Sequence, residues 1–455
     1  MKTDVVILAA GQGSRMKSAL PKVMHGLAGK PMLQHVIDSA RGLTPEALHV
    51  VIGHEGEQVE QAMSGQALNF VWQREQLGTG HAVAQAMPNI DPDAVVLVLY
   101  GDVPLTRRET LQKLVDMAAK GDLGLLTVTL DDPSGYGRII RNAVGDVVAI
   151  VEHKDATEQE KLIREVNTGI LALPAAALHD WLPRLSADNA QGEYYLTDVI
   201  AMAAEEGMRV RAIQPLAEQE VQGVNNRQQL AQLERWYQRR LADALMAEGV
   251  TLADPHRIDI RGSLQAGRDV QIDINTLFEG EVILAEGVHI GANCIIRDAR
   301  IGTGTRVEAN SIIEGAVIAE NAQIGPFARL RPGTEMAAGS KIGNFVETKK
   351  ACIGEGSKVN HLTYIGDAEI GREVNVGAGT ITCNYDGVNK SMTIIGDGAF
   401  IGSNSALVAP VEIGAGATVG AGSTVTKKVG DNQLTVARGK QVNLDNWARP
   451  QKKGS

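Results

Sequence analysis

Cysteine is scarce in this chain of 455 residues, which has three (Cys294, Cys352 and Cys383) and no C-x-x-C pair. Cysteines so few and so far apart exclude a disulfide framework and a zinc site, and they favour a reducing compartment. Aromatic residues are 4% of the sequence, and no apolar run approaches the roughly 18 residues of a membrane-spanning helix. The formal net charge is −10, which argues against a nucleic-acid surface. Because no signal-like segment precedes the first strand-like run, we expect a cytoplasmic protein with neither membrane nor nucleic acid as partner.

Glycine is abundant, with 50 residues, and aliphatic residues recur at steps of six in the second half. A period of six fits neither a helix nor an ordinary strand, and it is typical of hexapeptide repeats in a parallel β-helix. Each repeat supplies one short strand and turn, and stacked coils bury a continuous core. The clearest series is Ile395, Ile401, Leu407, Ile413, Val419 and Val425. Earlier series are Leu284, Ile290 and Ile296; Ile301, Val307 and Ile313; Ile318, Ile324, Leu330, Met336 and Ile342; Ile353, Val359 and Ile365; Ile370 and Val376.

The first half alternates strand-like and helix-like segments, which predicts an α/β domain with a mostly parallel, Rossmann-like sheet over residues 1–227. Ligands of such sheets bind at the carboxyl ends of the strands. Residues 228–248 carry an apolar stripe at helical spacing and predict a linker helix; packing of this helix on the first domain is the alternative. The β-helix then covers 249–455. The predicted strands are 5–10, 49–52, 94–100 and 123–130, and the predicted helices are 32–41 and 111–119.

A glycine-rich turn follows the first strand and contains Gly11 and Gly13, with Arg15 and Lys22 close behind. Glycines let backbone N–H groups approach a phosphate, and the two cations add fixed positive charge. Met16 replaces the third glycine of a dinucleotide fingerprint, and no P-loop motif is present. A plain strand-to-helix turn would explain the glycines alone. The cations at this spacing favour phosphate binding.

Three further groups fall where strands should end. The amides and small residues of 73–80, including Gln73, Gly78 and Thr79, suit a nucleobase edge. Asp102 follows a very apolar strand, and beside a triphosphate its carboxylate would be a hard-oxygen ligand for Mg²⁺. Asn225 could supply a second oxygen. Taken alone, Asp102 and Asn225 would each pass as turn or cap residues.

The six-residue spacing fails between Val376 and Ile395, where 380–387 predicts a protruding loop. Just before it, His361 lies in a polar and aromatic segment. A histidine is suited to accept a proton from an attacking amine, although a lone histidine in a repeat protein is more often a surface residue. The nearby cations could hold a sugar phosphate. These cations are Arg329, Arg331, Lys349 and Lys350.

Several motifs together resemble one family. They are the opening Leu8-Ala9-Ala10-Gly11-x-Gly13-x-Arg15-Met16 with Pro21-Lys22, the segment 76–82, and the 135–138, Glu152 and 167–169 elements, followed by the hexapeptide repeats. The sequence is similar to sugar-nucleotide pyrophosphorylases, and in particular to bacterial enzymes that fuse N-acetylglucosamine-1-phosphate uridyltransferase to glucosamine-1-phosphate acetyltransferase. The resemblance covers nearly the whole chain.

For the first domain the resemblance implies UTP as substrate, Mg²⁺ at Asp102 and Asn225, and phosphate contacts from Arg15 and Lys22. The uridine nucleotide and sugar would contact Leu8, Ala9, Ala10, Gly11, Lys22, Gln73, Gly78, Thr79, Tyr100, Gly101, Asp102, Gly137, Glu152, Asn167 and Asn225.

For the second domain the resemblance implies a left-handed β-helix, a homotrimer and direct acetyl transfer from acetyl-CoA, with His361 as general base. It makes Cys383 a bystander rather than an acyl carrier. The amino-sugar phosphate would contact Arg331, Lys349, Tyr364 and Asn375. Acetyl-CoA would contact Ala378, Asn384, Tyr385, Ser403, Ala421 and Arg438.

The leading hypothesis is therefore a bifunctional enzyme of small-molecule substrates. It acetylates glucosamine 1-phosphate and then transfers UMP from UTP to the product, giving UDP-N-acetylglucosamine, used in peptidoglycan and lipopolysaccharide synthesis, and pyrophosphate. Two alternatives stay open at this point. One is a single-function hexose-1-phosphate nucleotidyltransferase with a regulatory β-helix, and the other treats the β-helix as a trimerisation scaffold only.

Overall fold

A computed structural model describes residues 2–450 and 452, which fall into two units, Met1–Tyr237 and Gln238–Ser455. The first unit is built on a nine-stranded mixed sheet. Its central path runs in the order Val210–Ile213, Leu123–Thr129, Glu165–Pro174, Val95–Tyr100, Thr3–Leu8, Ala47–Ile52 and Asn69–Trp72. Arg138–Arg141 and Val147–Val151 form a hairpin at its side, and Gly26–Leu27 pairs with Lys30–Pro31 in a separate ribbon.

The sheet is parallel except around Glu165–Pro174, which runs antiparallel to both neighbours, and in the hairpin. Its central strands are buried on both faces, as near-continuous apolar runs in parallel sheets predict. In Thr3–Leu8, for example, Val6 and Leu8 join one core cluster while Val5 and Ile7 join the other. The α-helices are Met32–Arg41, Gly56–Ala62, Thr79–Ala86, Arg108–Ala118, Ala175–Trp181, Asp198–Glu205 and Arg227–Ala247. Short 3-10 turns are Ser14–Met16, Lys22–Met24, Met87–Asn89, Glu160–Leu162, Leu182–Arg184 and Glu218–Glu220.

The sequence-based segments differ from these elements mainly at their ends. The first strand ends at Leu8, two residues before the predicted end, because Ala9 and Ala10 turn away although both stay buried. The helix predicted at 111–119 begins at Arg108. The helix Arg227–Ala247 lies one residue from either end of the range 228–248, and Leu233 and Leu245 of its apolar stripe are buried.

The second unit consists of short parallel strands in an 11-stranded and a 14-stranded sheet. Residues in register are one coil apart: Lys341 pairs with Lys358 and Lys358 with Asn375, each a step of 17 residues. Every aliphatic residue of the six-residue series is buried, which confirms the predicted hexapeptide-repeat β-helix. The 11-stranded sheet contains Thr251–Leu252, Gln271–Ile272, His289–Ile290, Arg306–Val307, Gln323–Ile324, Lys341–Asn344, Lys358–His361, Asn375–Val376, Phe400–Ile401, Thr418–Val419 and Leu434–Thr435. The other contains Ile258–Ala266, Thr276–Leu284, Ile295–Ile301, Ile312–Glu314, Ala316–Ile318, Arg329–Leu330, Thr334–Met336, Glu347–Ile353, Tyr364–Ile370, Ile381–Cys383, Thr393–Ile395, Ala406–Val408, Val411–Ile413 and Thr424–Val425.

One corner of each coil turns through a residue in the left-handed backbone region. Asparagine or glycine suits this region, and most coils have one there: Asn275, Asn293, Asn310, Gly379, Asn404 and Gly422. Three consecutive coils instead use Phe327, Phe345 and Leu362, with φ of 55°, 55° and 49°. Their side chains are 49%, 56% and 64% exposed, and the two phenyl rings stack at 5.3 Å. Large apolar residues at an unfavourable backbone position are thus left facing outward.

Among the described residues, the step between paired coils changes from 17 to 25 where the six-residue spacing is lost. Tyr364 still pairs with Ile381 at a step of 17, whereas Ala368 pairs with Thr393 at a step of 25. The additional residues therefore lie between Ile381 and Thr393. They form a loop outside the coils, within the range 376–395 that the sequence indicates.

Candidate active sites

A cavity of about 320 Å³ opens at the carboxyl ends of the central strands in the first unit. Thr3–Leu8 and Val95–Tyr100 are adjacent and parallel, with Leu8 opposite Tyr100, so the residues after each strand meet at one edge. Gly101 links the two, because its N–H donates to Leu8 O at 2.9 Å. The cavity is lined by Leu8, Ala9, Ala10, Gly11, Lys22, Val23, Gln73, Gln76, Gly78, Thr79, Ala82, Tyr100, Asp102 and Glu193.

The glycine-rich turn brings its cations to the end of the Val95–Tyr100 strand. Gly13 has φ +60°, and a Cβ there would lie 2.6 Å from Lys22 Cβ, so only glycine lets the lysine approach. Lys22 Nζ forms an ion pair with Asp102 and lies 3.3 Å from Asn225 Oδ1. Arg15 Nη2 donates to the same Asn225 oxygen at 2.9 Å. Four residues separated by up to 210 positions therefore meet in one polar cluster.

The donor set of this cluster fits a hard cation. Asp102 and Asn225 supply one carboxylate and one carboxamide oxygen, and both already contact the Lys22 ammonium. The part of the chain that the structure describes holds no group of three or more His, Cys, Asp or Glu side chains placed for a metal. Mg²⁺ commonly uses only one or two protein carboxylates and takes its other oxygens from substrate phosphates and water. The residues present therefore fit Mg²⁺ bound together with a nucleotide.

On the other side of the cavity, the 73–80 segment is held by contacts within itself and with residues 194–196. Gln73 is buried, and its Nε2 donates to Gly78 O at 3.1 Å. Thr79 Oγ1 accepts the Leu196 N–H at 3.1 Å. Gly78 has φ +112°, and a Cβ there would lie 2.6 Å from Tyr194 O. Polar groups on a backbone fixed in this way suit the recognition of a planar base.

Next to the cavity, Glu152 and Tyr100 lie among glycines. Glu152 Oε1 accepts the Thr197 hydroxyl at 3.2 Å, and burial raises the pKa of the Glu152 carboxyl. Burial, and then the charges of Glu152 and Asp102, raise the pKa of Tyr100. A Cβ at Gly169 would lie 2.4 Å from the Tyr100 ring, so only glycine lets the ring approach that backbone.

Gly137 and Asn167 complete this cluster. A Cβ at Gly137 would approach Glu152 Oε1 to 3.3 Å, and Asn167 N–H donates to Gly137 O at 2.8 Å. Asn167 Oδ1 accepts the Gly169 N–H at 2.9 Å. The predicted amino-sugar residues thus form one connected group around the half-buried Glu152 carboxyl.

In the second unit, a column of charged residues runs up one side of the β-helix. It alternates in sign through Arg261, Glu279, Arg297 and Glu314, and neighbouring members form ion pairs. The alternation ends at the next coils, where Arg331 is followed by Lys349, since Leu330 pairs with Thr348 just before them. Arg331 continues the alternation, but Lys349 places a second positive charge at the position where the pattern predicts a carboxylate.

Lys390, from the inserted loop, adds a third cation. The Lys390 ammonium beside Lys349 is the main cause that lowers the pKa of Lys349, and Arg331 lowers it further. Arg331 has one carboxylate partner, Glu347 Oε1 at 2.9 Å. The Tyr364 hydroxyl also lies beside Lys349. Gly366 is the register partner of Lys349, and a Cβ at Gly366 would lie 2.3 Å from the Tyr364 hydroxyl. Excess positive charge in one place suits a phosphate.

His361 is exposed and is oriented by the coil before it. It is in register with Asn344, whose Oδ1 lies 2.7 Å from His361 Nδ1. A carboxamide oxygen can only accept, so this contact requires Nδ1 to carry the proton. In the neutral imidazole, His361 Nε2 then has a free lone pair, which is what a general base needs.

The predicted acetyl-CoA residues follow His361 along one corner of successive coils. Backbone N–H groups of the next coil donate to His361 O at 3.3 Å, to Ala378 O at 2.8 Å and to Ser403 O at 2.8 Å. Arg438 Nη1 donates to Ala421 O at 2.6 Å. His361 and Arg438, 77 positions apart, therefore lie at the two ends of one continuous line along the corner of the β-helix. The small residues Ala378, Ser403 and Ala421 lie between them.

The inserted loop borders this line. Asn384 Nδ2 donates to Asp367 Oδ2, and Tyr385 bridges to Lys390 while remaining 59% exposed. Asn375 is half-buried and pairs with Phe400 across the break in register. The loop thus brings polar and aromatic groups to the β-helix near the cations.

Comparison with known proteins agrees with this two-site arrangement. The MobA-like NTP transferase domain matches residues 5–246, and six bacterial transferase hexapeptide repeats match residues 392–427. The chain is 63% identical to the bifunctional protein GlmU of Marinobacter nauticus over 98% of this chain and 99% of that protein. It is 61% identical to GlmU of Pseudomonas entomophila and 63% identical to GlmU of Cellvibrio japonicus, each over 99% of both chains. The chain belongs to the bifunctional GlmU family.

As a GlmU-family protein it is a transferase with both uridyltransferase and acetyltransferase activity, which confirms the leading hypothesis from the sequence. The single-function and scaffold-only alternatives are therefore wrong. Among the described residues, no helix is long and apolar enough to cross a membrane.

Sequence reasoning missed several residues at these sites. Glu193 lines the cavity but carries no motif, and its place follows only from the close contact of 193–196 with Gly78 and Thr79. Lys390 could have been noticed as the sole cation of the loop 384–392. Asn344 had a usable signal, because it precedes His361 by one coil of 17 residues. Of the four predicted cations, Arg329 lies instead 4.0 Å from Glu314.

Proposed function

We propose that residues 1–227 transfer UMP from UTP to N-acetylglucosamine 1-phosphate, that 228–248 link the two domains, and that 249–455 first acetylate glucosamine 1-phosphate with acetyl-CoA. The observation that carries the first half is the convergence of Arg15, Lys22, Asp102 and Asn225. The observations that carry the second half are the orientation of His361 by Asn344 and the cluster of Arg331, Lys349 and Lys390 on the same β-helix.

In UMP transfer, an oxygen of the sugar phosphate attacks the α-phosphorus of UTP, and the bond to pyrophosphate breaks. The nucleophile is already an anion, so no general base is required, and charge repulsion is the main obstacle. Lys22 and Arg15 offset that repulsion and align the reactants. Mg²⁺, bound by Asp102 and Asn225 with the phosphates, would neutralise the triphosphate and the departing pyrophosphate.

Recognition is divided between the two sides of the cavity. The backbone of 8–11 and the polar groups of Gln73, Gly78 and Thr79 hold the uridine nucleotide. Tyr100, Glu152 and Asn167 hold the amino sugar, with Gly101 and Gly137 giving room for close approach. Glu152 is suited to accept a hydrogen bond from a sugar hydroxyl, since its half-buried carboxylate lies beside Thr197.

Asp102→Ala tests the first site. We expect UMP transfer to be abolished, because the loss removes a metal ligand and leaves Lys22 without its ion-pair partner. Acetyl transfer by the same preparation should stay at the wild-type rate and so report correct folding. The control is Asp131→Ala, which removes a fully exposed carboxylate. Loss of both activities, or retention of UMP transfer, would contradict the two-site assignment.

In acetyl transfer, the amine of glucosamine 1-phosphate attacks the thioester carbonyl. A C–N bond forms, the C–S bond breaks, His361 Nε2 accepts the amine proton, and the CoA thiolate leaves and takes up a proton. Arg331, Lys349 and Lys390, with Tyr364 and Asn375, would hold the phosphate. Acetyl-CoA would lie along Ala378, Ser403, Ala421 and Arg438, bordered by Asn384 and Tyr385.

His361→Gln tests the second site. The glutamine amide keeps a polar side chain but cannot accept a proton, so thiol release from acetyl-CoA should fall by about 10²–10⁴-fold, the usual contribution of a general base. UMP transfer from supplied N-acetylglucosamine 1-phosphate should not change. His289→Gln on the same β-helix is the matched control. An unchanged rate of thiol release in His361→Gln would overturn the assignment.

We also propose a homotrimer in the cytoplasm, where UTP and acetyl-CoA are available. The supporting observation is the patch of Phe327, Phe345 and Leu362, which are exposed apolar residues at left-handed corners. A second copy of the chain covering this patch would explain why large side chains occupy positions suited to asparagine or glycine.

A further inference from the structure

The two proposed metal ligands sit on segments more than a hundred residues apart, and a buried carboxylate joins these segments. Glu220 is 0% exposed. Its carboxylate lies 3.1 Å from Arg107 Nε and accepts the Thr110 hydroxyl at 3.0 Å. Its backbone oxygen accepts the Thr106 hydroxyl at 2.9 Å. Glu220 therefore bonds, by main chain and side chain, to the region that directly follows Asp102.

The segment after Glu220 contacts Asp102 through Val224 and contains the second proposed ligand, Asn225, five residues along. Val224 N–H donates to Asp102 O at 2.9 Å, which ties the segment directly to the first ligand. Asn225 N–H donates to Gln229 Oε1 at 2.8 Å, so the second ligand is also held from its other side. With both ends of 220–225 fixed, a displacement of Glu220 has few residues over which to be absorbed.

Stability alone is a weak explanation for this carboxylate. Removing a charge from water costs several kcal/mol, and an ion pair often does no more than offset that cost, so apolar side chains would serve folding as well. The hydrogen bonds from Thr106 and Thr110 do, however, fix the position of Glu220, and the Arg107 guanidinium compensates its charge as a close ion pair without a hydrogen bond to Oε1. Hydrogen-bonded buried groups of this kind make the local geometry rigid.

We propose that Glu220 is a positioning residue for the Mg²⁺ site, which sets the separation of Asp102 and Asn225 through its contacts with Arg107 and Thr110. This inference rests on the proposed function, in which those two residues bind the metal. Glu220 itself does not touch substrate or metal.

The test is Mn²⁺ binding in the presence of UTP, followed by electron paramagnetic resonance, for Glu220→Gln in the full-length protein. Loss of a direct partner of a metal ligand typically weakens binding by about 10–100-fold. Because Glu220 acts one step further out, through Arg107 and Thr110, we expect the lower end of this range, roughly tenfold. The concentration of Mg²⁺ for half-maximal UMP transfer should rise by a similar factor, with the rate largely restored at high Mg²⁺. Glu218→Gln is the matched control, because Glu218 lies in the same turn and is exposed.

A second variant approaches the same contact from its partner. Thr110→Val keeps the shape of the side chain and removes only the hydroxyl given to Glu220, so it should shift Mn²⁺ affinity in the same direction by a smaller factor. Acetyl transfer reports folding of the preparation. If the wild type binds Mn²⁺ and both variants bind it equally well, the inference is wrong. If the wild type with UTP binds no Mn²⁺, or Asp102→Ala binds it normally, the proposed function fails instead.

Discussion

Replacing Phe345 by asparagine should separate the stability of one chain from the assembly of several. The residue sits at φ 55° with its side chain 56% exposed, stacked on Phe327. Asparagine is several-fold enriched in this backbone region, so the substitution removes an unfavourable conformation. It also removes one aromatic pair, worth roughly 0.5–1.5 kcal/mol. These two effects oppose each other, and we expect the free energy of unfolding of one chain to change by less than about 1 kcal/mol.

The effect on assembly should be much larger. A phenylalanine side chain can bury roughly 200 Å², and 56% of that surface is exposed on the single chain. Covering about 110 Å² at roughly 25 cal/mol per Å² contributes about 2.8 kcal/mol for each copy. At about 1.4 kcal/mol per tenfold change, the loss should weaken each contact between copies by about a hundredfold.

Sedimentation equilibrium over a range of protein concentrations measures this difference, and urea unfolding measures the stability of the chain. The wild type should have three times the mass of one chain, and Phe345→Asn should dissociate at concentrations where the wild type does not. Val144→Asn is the control, since Val144 is 82% exposed and lies in a loop of the first unit. A variant that keeps the wild-type mass down to the lowest concentration would refute the argument from exposed area.

Three further substitutions test the sites. Gly13→Ala should slow UMP transfer and leave acetyl transfer intact, because φ +60° costs alanine about 1–2 kcal/mol and its Cβ would displace Lys22; assay of both activities decides this. Glu152→Gln should reduce the pH dependence of the free energy of unfolding. Burial raises the pKa of the Glu152 carboxyl, so above about pH 4.3 the native state binds more protons than the unfolded state. The stability of the wild type therefore falls as the pH rises through the raised pKa. Urea unfolding between pH 4.5 and 7.5 measures this slope. Cys383→Ala should keep near-normal acetyl transfer, since direct transfer needs no thiol carrier; a covalent acetyl-enzyme in the wild type would contradict it.

The β-helix was predictable in detail because its rule is strictly local. Each coil repeats the same inward-facing positions, so the spacing alone predicts the burial of Ile395, Ile401 and Leu407. Because the repeat is so regular, the interruption of the six-residue spacing is easy to recognise, and the inserted loop lies at that interruption. What spacing could not give is the conformation of that loop, and therefore the contact between Lys390 and Lys349.

The first unit was less accessible to sequence reasoning. Strand ends identified the edge where Gly11 and Asp102 meet, because parallel strands share that edge. The role of Glu220 had no such signal, since a glutamate in a short turn is ordinary and its burial depends on Arg107 and Thr110, more than a hundred residues away. Long-range side-chain partners of this kind become visible only when the chain is folded.

The step of 25 residues at the inserted loop has a consequence for how acceptor specificity could change. Asn375 with Phe400 and Ala368 with Thr393 share this one offset, and the next coil returns to 18, as Phe400 with Thr418 shows. The coils before and after the loop therefore keep their alignment whatever its length. Since loop-closure entropy grows only slowly with length, segments of other sizes could be exchanged at this position with little loss of stability. The contacts that this segment supplies, including that of Lys390 with the acceptor phosphate, could therefore change without any change in the core, while Lys349, Tyr364 and Asn375 keep their places on the coils.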